Sequence, residues 1–125
     1  MKEIKGYHKL IVWQKARELV KAIYSLTDNF PKDESFGLTS QLRRAGVSVV
    51  ANLVEGYSRG YKSPKEARQF YSIASGSLTE VECLLEIASD VYPAILEKRY
   101  NEIEALRGEV GFLLGRFIGQ FDSRK

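Results

Sequence analysis

The stretch of sequence that decides the fold is LTSQLRRAGVSVVANLVEGYSRG, residues 38–60. Its apolar residues recur every three or four positions, which predicts an α-helix from about Leu38 to Arg59. One flank of this helix carries Leu38, Leu42, Ala45, Val49 and Leu53, and the opposite side carries Val47, Val50 and Val54. Because a helix that is apolar on two sides is usually buried on two sides, we expect it at the centre of the fold.

A polar stripe runs between the two apolar sides of this helix. Its six members follow each other at spacings of 3, 4, 4, 3 and 4, and so fall within an arc of about 80°. They are Gln41, Arg44, Ser48, Asn52, Glu55 and Arg59. We interpret the stripe as a polar network within the fold or between subunits. A solvated face and a direct ligand contact are the two alternatives.

Three further blocks with helical periodicity predict an all-α fold. They run from about Lys9 to Asn29, from Pro64 to about Val91, and from about Ala94 or Glu97 to Phe121. The third helix has the clearest start, because Ser63 fits the N-cap position, Pro64 the first helical position and Glu66 the third.

Short connections between the blocks favour antiparallel neighbours, so we expect a single domain folded as an up-down-up-down four-helix bundle. The expected divisions are an N-terminal arm at residues 1–8, the bundle at 9–121 and a C-terminal tail at 122–125.

Composition supports one globular domain. The chain has 125 residues, of which 44% are hydrophobic and 28% are charged, with a net charge of +3. Residues 1–68 carry 13 lysines and arginines against 7 acids, whereas residues 69–125 carry 6 against 9. This asymmetry suits either a surface that binds polyanions or charge-complementary self-association.

The sequence also indicates the compartment. The single cysteine, Cys83, excludes an intrachain disulfide, and its mid-helix position predicts a buried packing residue. No window resembles a signal peptide or a membrane span. We therefore expect a cytoplasmic protein.

Antiparallel registration gives the stripe candidate partners. Glu55 and Arg59 are four residues apart with the acid nearer the N-terminus, which favours an intrahelical ion pair. If the second and third helices fold back about residue 62, Arg44 lies level with Glu80, and we expect a salt bridge between them. The predicted structural network comprises Gln41, Arg44, Ser48, Asn52, Glu55, Ser77 and Glu80.

Residues for catalysis are scarce. The loop from Gly56 to Ser63 has glycine spacing that differs from a phosphate-binding loop, and no strand precedes it. The only histidine, His8, lies in the N-terminal arm, so a di-iron bundle and a histidine-activated nucleophile both lack their residues. We expect no enzyme activity, no metal and no cofactor.

The segment after the stripe is basic and aromatic, and it is the candidate nucleic-acid-binding surface. Cations there can neutralise phosphates while tyrosines stack on unpaired bases. Its members are Tyr57, Arg59, Tyr61, Lys62, Lys65 and Arg68, and Arg43 on the preceding helix is expected to extend it. A solvated turn is the alternative.

The last helix carries glycines at regular spacing. Gly111, Gly115 and Gly119 follow each other at four-residue intervals, with Gly108 on the same side. Interior glycines each destabilise a helix by about 1 kcal/mol relative to alanine, so four on one side indicate close approach by another backbone. A subunit contact and an exposed groove are both compatible with this pattern.

Several motifs together resemble those of a known family. They are VWQKA at 12–16, FP at 30–31 with Glu34, GLT at 37–39 with Gln41, RA at 44–45, Ser48, AN at 51–52, EG at 55–56 and SLTE at 77–80. Across about residues 8–120 the chain resembles the bacterial four-helix bundle proteins encoded in intervening sequences of large-subunit ribosomal RNA genes. The resemblance implies an antiparallel four-helix bundle that assembles into a ring-like homopentamer. Relatives include the accessory proteins of diversity-generating retroelements, which bind reverse transcriptase and nucleic acid.

Three functions follow as hypotheses. The first is a nonenzymatic, homo-oligomeric nucleic-acid-associated protein, with RNA favoured by the genomic setting of the family that the chain resembles. The second is a protein-interaction scaffold or accessory subunit that does not bind nucleic acid directly. The third, a small-molecule-binding bundle, requires an apolar pocket.

Overall fold

A computed structural model describes residues 6–60 and 62–122, and every regular element in those ranges is helical. The α-helices are α1 (Ile11–Thr27), α2 (Leu38–Arg59), α3 (Pro64–Val91), α4 (Pro93–Leu96) and α5 (Tyr100–Asp122), with 3-10 turns at Gly6–Lys9 and Lys32–Glu34. The prediction of an all-α, single-domain protein is confirmed. Within the same ranges, no helix has both the length and the apolar composition needed to cross a bilayer.

The four long helices surround one hydrophobic core. Helix α1 packs on α2 and α5, and helix α3 packs on the same two. The predicted apolar flank of α2 is buried, with Leu42 fully inaccessible and Leu53 only 1% exposed. Its second apolar side is not buried as expected, because Val47 is 45% exposed beside α1. Helix α2 is therefore fully buried on one side only.

The last predicted helix is divided in two. Pro93 begins the short helix α4, whose Leu96 is buried in the core. The chain then turns, with the Arg99 amide donating to the Leu96 carbonyl at 3.0 Å, and α5 begins at Tyr100. Anchoring of Leu96 and this tight turn place the start of the long helix at Tyr100, closer to Glu97 than to Ala94, the two starts expected from the sequence.

The connection between α2 and α3 is held by a cap. The Ser63 hydroxyl accepts a hydrogen bond from the Glu66 amide at 3.3 Å, as the capping-box motif predicts. In a complete capping box the Glu66 carboxylate would also accept a hydrogen bond from the Ser63 amide. Here the Ser63 amide instead donates to the Arg59 carbonyl at 2.9 Å, and the Glu66 carboxylate binds the Arg59 guanidinium. The cap and the ion pair together fix the start of α3 against the end of α2.

Close packing beside this turn depends on a glycine. A Cβ atom built on Gly56 would lie 2.6 Å from the ring of Tyr71, so only glycine allows the ring to pack there. Tyr71 is 4% exposed and contacts the rings of Phe117 and Phe121 at centroid distances of 5.5 and 5.7 Å. Burial, with a smaller contribution from nearby Tyr57, raises the pKa of Tyr71 to about 12.

The end of the predicted N-terminal arm packs onto α1. Ring centroids of Tyr7 and His8 lie 5.3 and 4.7 Å from the Trp13 ring. The Gln14 side chain donates a hydrogen bond to the His8 carbonyl at 2.8 Å. Residues 6–8 are thus part of the packed domain, and residues 1–5 lie outside the described ranges.

Candidate functional site

The polar stripe of α2 meets α3 in a hydrogen-bonded seam. The hydroxyl oxygens of Ser48 and Ser77 lie 2.8 Å apart. The Asn52 side-chain amide donates to the Ser48 carbonyl at 2.9 Å and to the Ser48 hydroxyl at 3.0 Å. Because residues 48 and 59 of α2 lie beside residues 77 and 66 of α3, the two helices run antiparallel to each other.

Two predicted members of the network, Arg44 and Glu80, share a groove without forming a bond. The groove has a volume of about 450 Å³ and is lined by Gln41, Arg44, Ala45, Ser48, Ser77 and Glu80. Within residues 6–60 and 62–122, neither charged group forms a hydrogen bond or an ion pair. The expected Arg44–Glu80 salt bridge is therefore absent from the single chain. Both side chains are exposed, and an exposed pair gains little over solvation by water.

The Glu55–Arg59 ion pair is present, with a nitrogen to oxygen distance of 3.7 Å. Arg59 also lies 3.3 Å from Glu66, and its guanidinium is 5.5 Å from the centroid of the Phe70 ring. Two carboxylates therefore share the positive charge of Arg59. This guanidinium is less available to a phosphate group than the side chains of Lys62 and Lys65.

Lys62 and Lys65 are the accessible cations of the α2–α3 turn. Both side chains are exposed, and neither forms an ion pair with any acid in the described part of the chain. They flank the Ser63 cap, which holds the backbone between them. Arg68 follows one turn later and is half-buried.

Of the two tyrosines predicted to stack on bases, one lies within the described residues and the other does not. Tyr57 is half-buried, and a Cβ atom at Gly6 would lie 3.0 Å from its hydroxyl oxygen. Its ring therefore packs against the N-terminal 3-10 turn. Tyr61 lies outside the described residues.

Arg43 lies apart from the basic turn, contrary to expectation. Its guanidinium donates to the Thr27 hydroxyl at 2.8 Å and to the Asp28 carboxylate at 2.9 Å, and stacks 4.3 Å from the Tyr24 ring centroid. It precedes Arg59 by 16 residues, which is about 24 Å along a helix at 1.5 Å per residue. Arg43 therefore joins α2 to α1.

Helix α3 carries an exposed ridge that the sequence reasoning missed. Its members are Ile73, Gly76, Glu80, Cys83 and Ile87, and we call them the α3 ridge. Ile73 is 52% exposed and Ile87 is 43% exposed. Cys83 is exposed and not buried as predicted, because the buried side of α3 passes through the neighbouring Leu84. These five residues follow each other at spacings of 3, 4, 3 and 4, and this pattern could have predicted the ridge from the sequence.

The glycines of α5 do not share one environment. A Cβ atom at Gly111 would lie 3.4 Å from the side chain of Leu78, so this position faces α3. Cβ atoms at Gly108 and Gly115 would meet nothing within 4 Å. These two glycines flank Phe112, which is 67% exposed. The Phe112 ring on the outward side of α5 therefore has open space beside it, and the Arg116 guanidinium lies 5.9 Å from its centroid.

Comparisons with known proteins agree with this architecture. The family model of the 23S rRNA-intervening sequence protein matches residues 8–116. A similar solved structure is a protein of unknown function from the S23 ribosomal protein family of Bacteroides thetaiotaomicron. It is 25% identical, with a TM-score of 0.74, and the alignment covers 86% of this chain and 98% of that one. A search of curated proteins found no match.

Proposed function

Because the chain belongs to the 23S rRNA-intervening sequence protein family, we propose that it is a nonenzymatic, homo-oligomeric protein that associates with nucleic acid, RNA being favoured. The observation that carries this proposal is the pair of exposed lysines, Lys62 and Lys65, on a turn fixed by the Ser63 cap. Lysines that form no ion pair within the described part of the chain can contact phosphate groups without first breaking a contact with an acid.

The arrangement of charge along the chain supports the same proposal. Residues 59–68 contain Arg59, Lys62, Lys65 and Arg68 against the single acid Glu66. A positive turn at one end of elongated helices is repeated with every added subunit. A symmetric oligomer would therefore present several such turns to one polyanion, and simultaneous engagement increases the apparent affinity.

The proposed subunit is an up-down-up-down four-helix bundle made of α1, α2, α3 and α5, and the proposed assembly is a homopentamer. Two features support the bundle, namely the antiparallel contact of α2 with α3 and the packing of each long helix on two others. The pentamer is implied by the family resemblance described above. Cytoplasmic location is part of this proposal.

Salt dependence provides the test. The purified full-length chain would be titrated into a structured RNA and into duplex DNA at monovalent salt concentrations from about 50 to 200 mM. Log affinity is expected to fall linearly with log salt, by about 0.7 to 0.9 for each phosphate contacted. The double variant Lys62→Gln/Lys65→Gln should bind more weakly and show a smaller slope.

A matched control is available at the opposite end of the long helices. Lys32 and Lys98 are exposed lysines in the connections that precede α2 and α5. The double variant Lys32→Gln/Lys98→Gln changes net charge by the same amount and should retain the slope of the unmodified chain. Equal slopes for both double variants, or no binding to either nucleic acid at low salt, would refute the proposed function.

A protein-interaction scaffold without direct nucleic-acid binding is the second candidate, and exposed aromatic residues favour it. Phe36 is 98% exposed and Phe112 is 67% exposed, and exposed aromatic rings are common anchors in protein interfaces. This candidate predicts a protein that co-purifies with the chain after nuclease treatment. The substitutions Phe36→Ser and Phe112→Ser should release it, whereas Lys62→Gln/Lys65→Gln should not.

A further inference from the structure

Helices α2 and α3 present a continuous outer face that no other described element covers. It consists of the α3 ridge, the seam of Ser48 and Ser77, and an α2 ridge of exposed residues on the other side of the seam. The α2 ridge is defined here as Arg44, Val47, Ala51 and Glu55. The face therefore combines a central polar line with apolar positions on both sides.

The α3 ridge has the residue pattern of a helix-packing surface. Its spacing of 3, 4, 3 and 4 is the heptad spacing that keeps one seam of a helix facing another helix. From Ile73 to Ile87 it extends over about 21 Å at 1.5 Å per residue. A Cβ atom at Gly76 would meet nothing within 4 Å, so the backbone there is open to close approach.

The charges on this face indicate what kind of surface can bind to it. Arg44 and Glu80 lie level across the seam, yet each is without a hydrogen bond or ion pair among the described residues. The α2 side of this face carries an unpaired cation and the α3 side an unpaired acid, so the α2 side of one copy is complementary in charge to the α3 side of another. Two copies can bring the Arg44 of one chain to the partner's Glu80 with no like-charge contact.

We propose that the outer α2–α3 face is a self-association surface, on which a second copy of this chain packs and Arg44 forms an ion pair with Glu80 of the partner subunit. This inference rests on the homo-oligomeric state in the proposed function and names the surface that produces it. In a ring each chain has two neighbours, so its Arg44 pairs with one neighbour and its Glu80 with the other. Burial between subunits removes water from both charges and strengthens their attraction. Ile73 and Ile87 are covered in the same contact.

Charge reversal tests the proposal, because both side chains are exposed and their substitution should leave the subunit folded. We expect Arg44→Glu and Glu80→Arg each to raise the dissociation constant of the oligomer at least tenfold, measured by light scattering over a concentration series. The double variant Arg44→Glu/Glu80→Arg should restore assembly. Circular dichroism of each variant confirms that the helices are retained.

Mixing the two single variants separates a pair between subunits from a pair within one chain. A chain with Arg44→Glu carries two acids in the groove, and a chain with Glu80→Arg carries two cations. Only contact between different chains can pair these charges, so an equimolar mixture should form mixed oligomers, detected by native mass spectrometry. The matched control Glu97→Arg reverses an exposed acid away from this face and should assemble as the unmodified chain does.

The results that overturn the proposal are distinct from those that overturn the function. An oligomer whose dissociation constant is unchanged by both single reversals refutes this surface and leaves the homo-oligomer intact. Rescue by the double variant without rescue by mixing places the pair inside one chain, which also refutes the proposal. A monomer at all concentrations refutes the proposed oligomeric function as well.

Discussion

Ser48 and Ser77 lie opposite each other on α2 and α3, with their hydroxyl oxygens 2.8 Å apart. This bond fixes how far one helix is displaced along the other. A shift of one helical turn, about 5.4 Å, would break it. The same register places Arg44 level with Glu80. The hydrogen bond between two uncharged side chains therefore determines the relative positions of the two charged groups on the outer face.

Removal of the Ser77 hydroxyl should destabilise the fold modestly. We expect Ser77→Ala to lower the free energy of unfolding by about 0.5 to 1.5 kcal/mol, the usual net value of one hydrogen bond. Ser48→Ala should have a larger effect, because the Ser48 hydroxyl also accepts from Asn52. Urea unfolding of the two single variants and the double variant gives the coupling energy, and additive effects would show that the bond contributes nothing.

Gly56 should not tolerate a side chain. The methyl group of Gly56→Ala would lie 2.6 Å from the Tyr71 ring and 3.1 Å from the Ala67 carbonyl oxygen, and such overpacking typically destabilises by about 1 to 3 kcal/mol. Gly108→Ala is the matched control, because its methyl group would meet nothing within 4 Å. Alanine there should stabilise α5 by up to about 1 kcal/mol. Thermal unfolding of both variants measures the difference, and equal effects would contradict the packing described here.

Alkaline pH should weaken the fold through Tyr71. Burial raises the pKa of Tyr71 to about 12, whereas the phenol ionises near 10 in the unfolded chain. The neutral phenol therefore stabilises the folded state fully below pH 10, and this contribution is lost as pH rises towards 12. By pH 11 the loss should be on the order of 1 kcal/mol.

Urea unfolding between pH 8 and pH 11 measures this effect. Tyr71→Phe cannot ionise, so its free energy of unfolding should fall less over that range than that of the unmodified chain. The matched control is Tyr24→Phe, which alters an exposed tyrosine. The same pH dependence in the unmodified chain and in Tyr71→Phe would show that Tyr71 ionises equally in both states.

Acid should weaken the contact between Glu34 and Tyr92, which joins the α1–α2 connection to the end of α3. The Tyr92 hydroxyl donates to the Glu34 carboxylate, and this bond, with a second from the Leu38 amide, lowers the pKa of Glu34. Because the pKa of Glu34 is lowered in the folded chain, its carboxylate stabilises the fold at pH values above its unfolded pKa of about 4.5. This stabilisation is lost as the pH falls through the pKa of Glu34 in the folded chain. Tyr92→Phe should therefore destabilise at pH 7, and its difference from the unmodified chain should shrink in acid. A difference that stays constant from pH 7 to pH 3 would rule out this linkage.

The helices were predictable because local patterns define them. The limits of α2 were predicted from residue spacing alone, and the Ser63 cap defined the start of α3. The division of α4 from α5 was not predictable in the same way, because it depends on the burial of Leu96 by other parts of the chain. Sequence periodicity does not predict such a tertiary contact.

The candidate site was predictable in position but not in chemistry. The turn after α2 is exposed and basic, as composition indicated, and the Glu55–Arg59 pair was predicted from spacing. The second acid bound to Arg59, Glu66, and the binding of Arg43 to Asp28 were not predicted. These pairings depend on side chains that are brought together by the helical turn or by packing of α1 against α2. The exposure of Cys83 was missed because a mid-helix position does not by itself show which side of the helix a residue occupies.

The packing at Gly56 stabilises the α2–α3 corner without a contribution from the charges of Lys62 and Lys65. The ring of Tyr71 fills the space above this glycine, so shape complementarity between two uncharged residues holds the helices together there. Lys62 and Lys65 lie outside that contact. The charges of Lys62 and Lys65 can therefore be exchanged while the subunit keeps its fold.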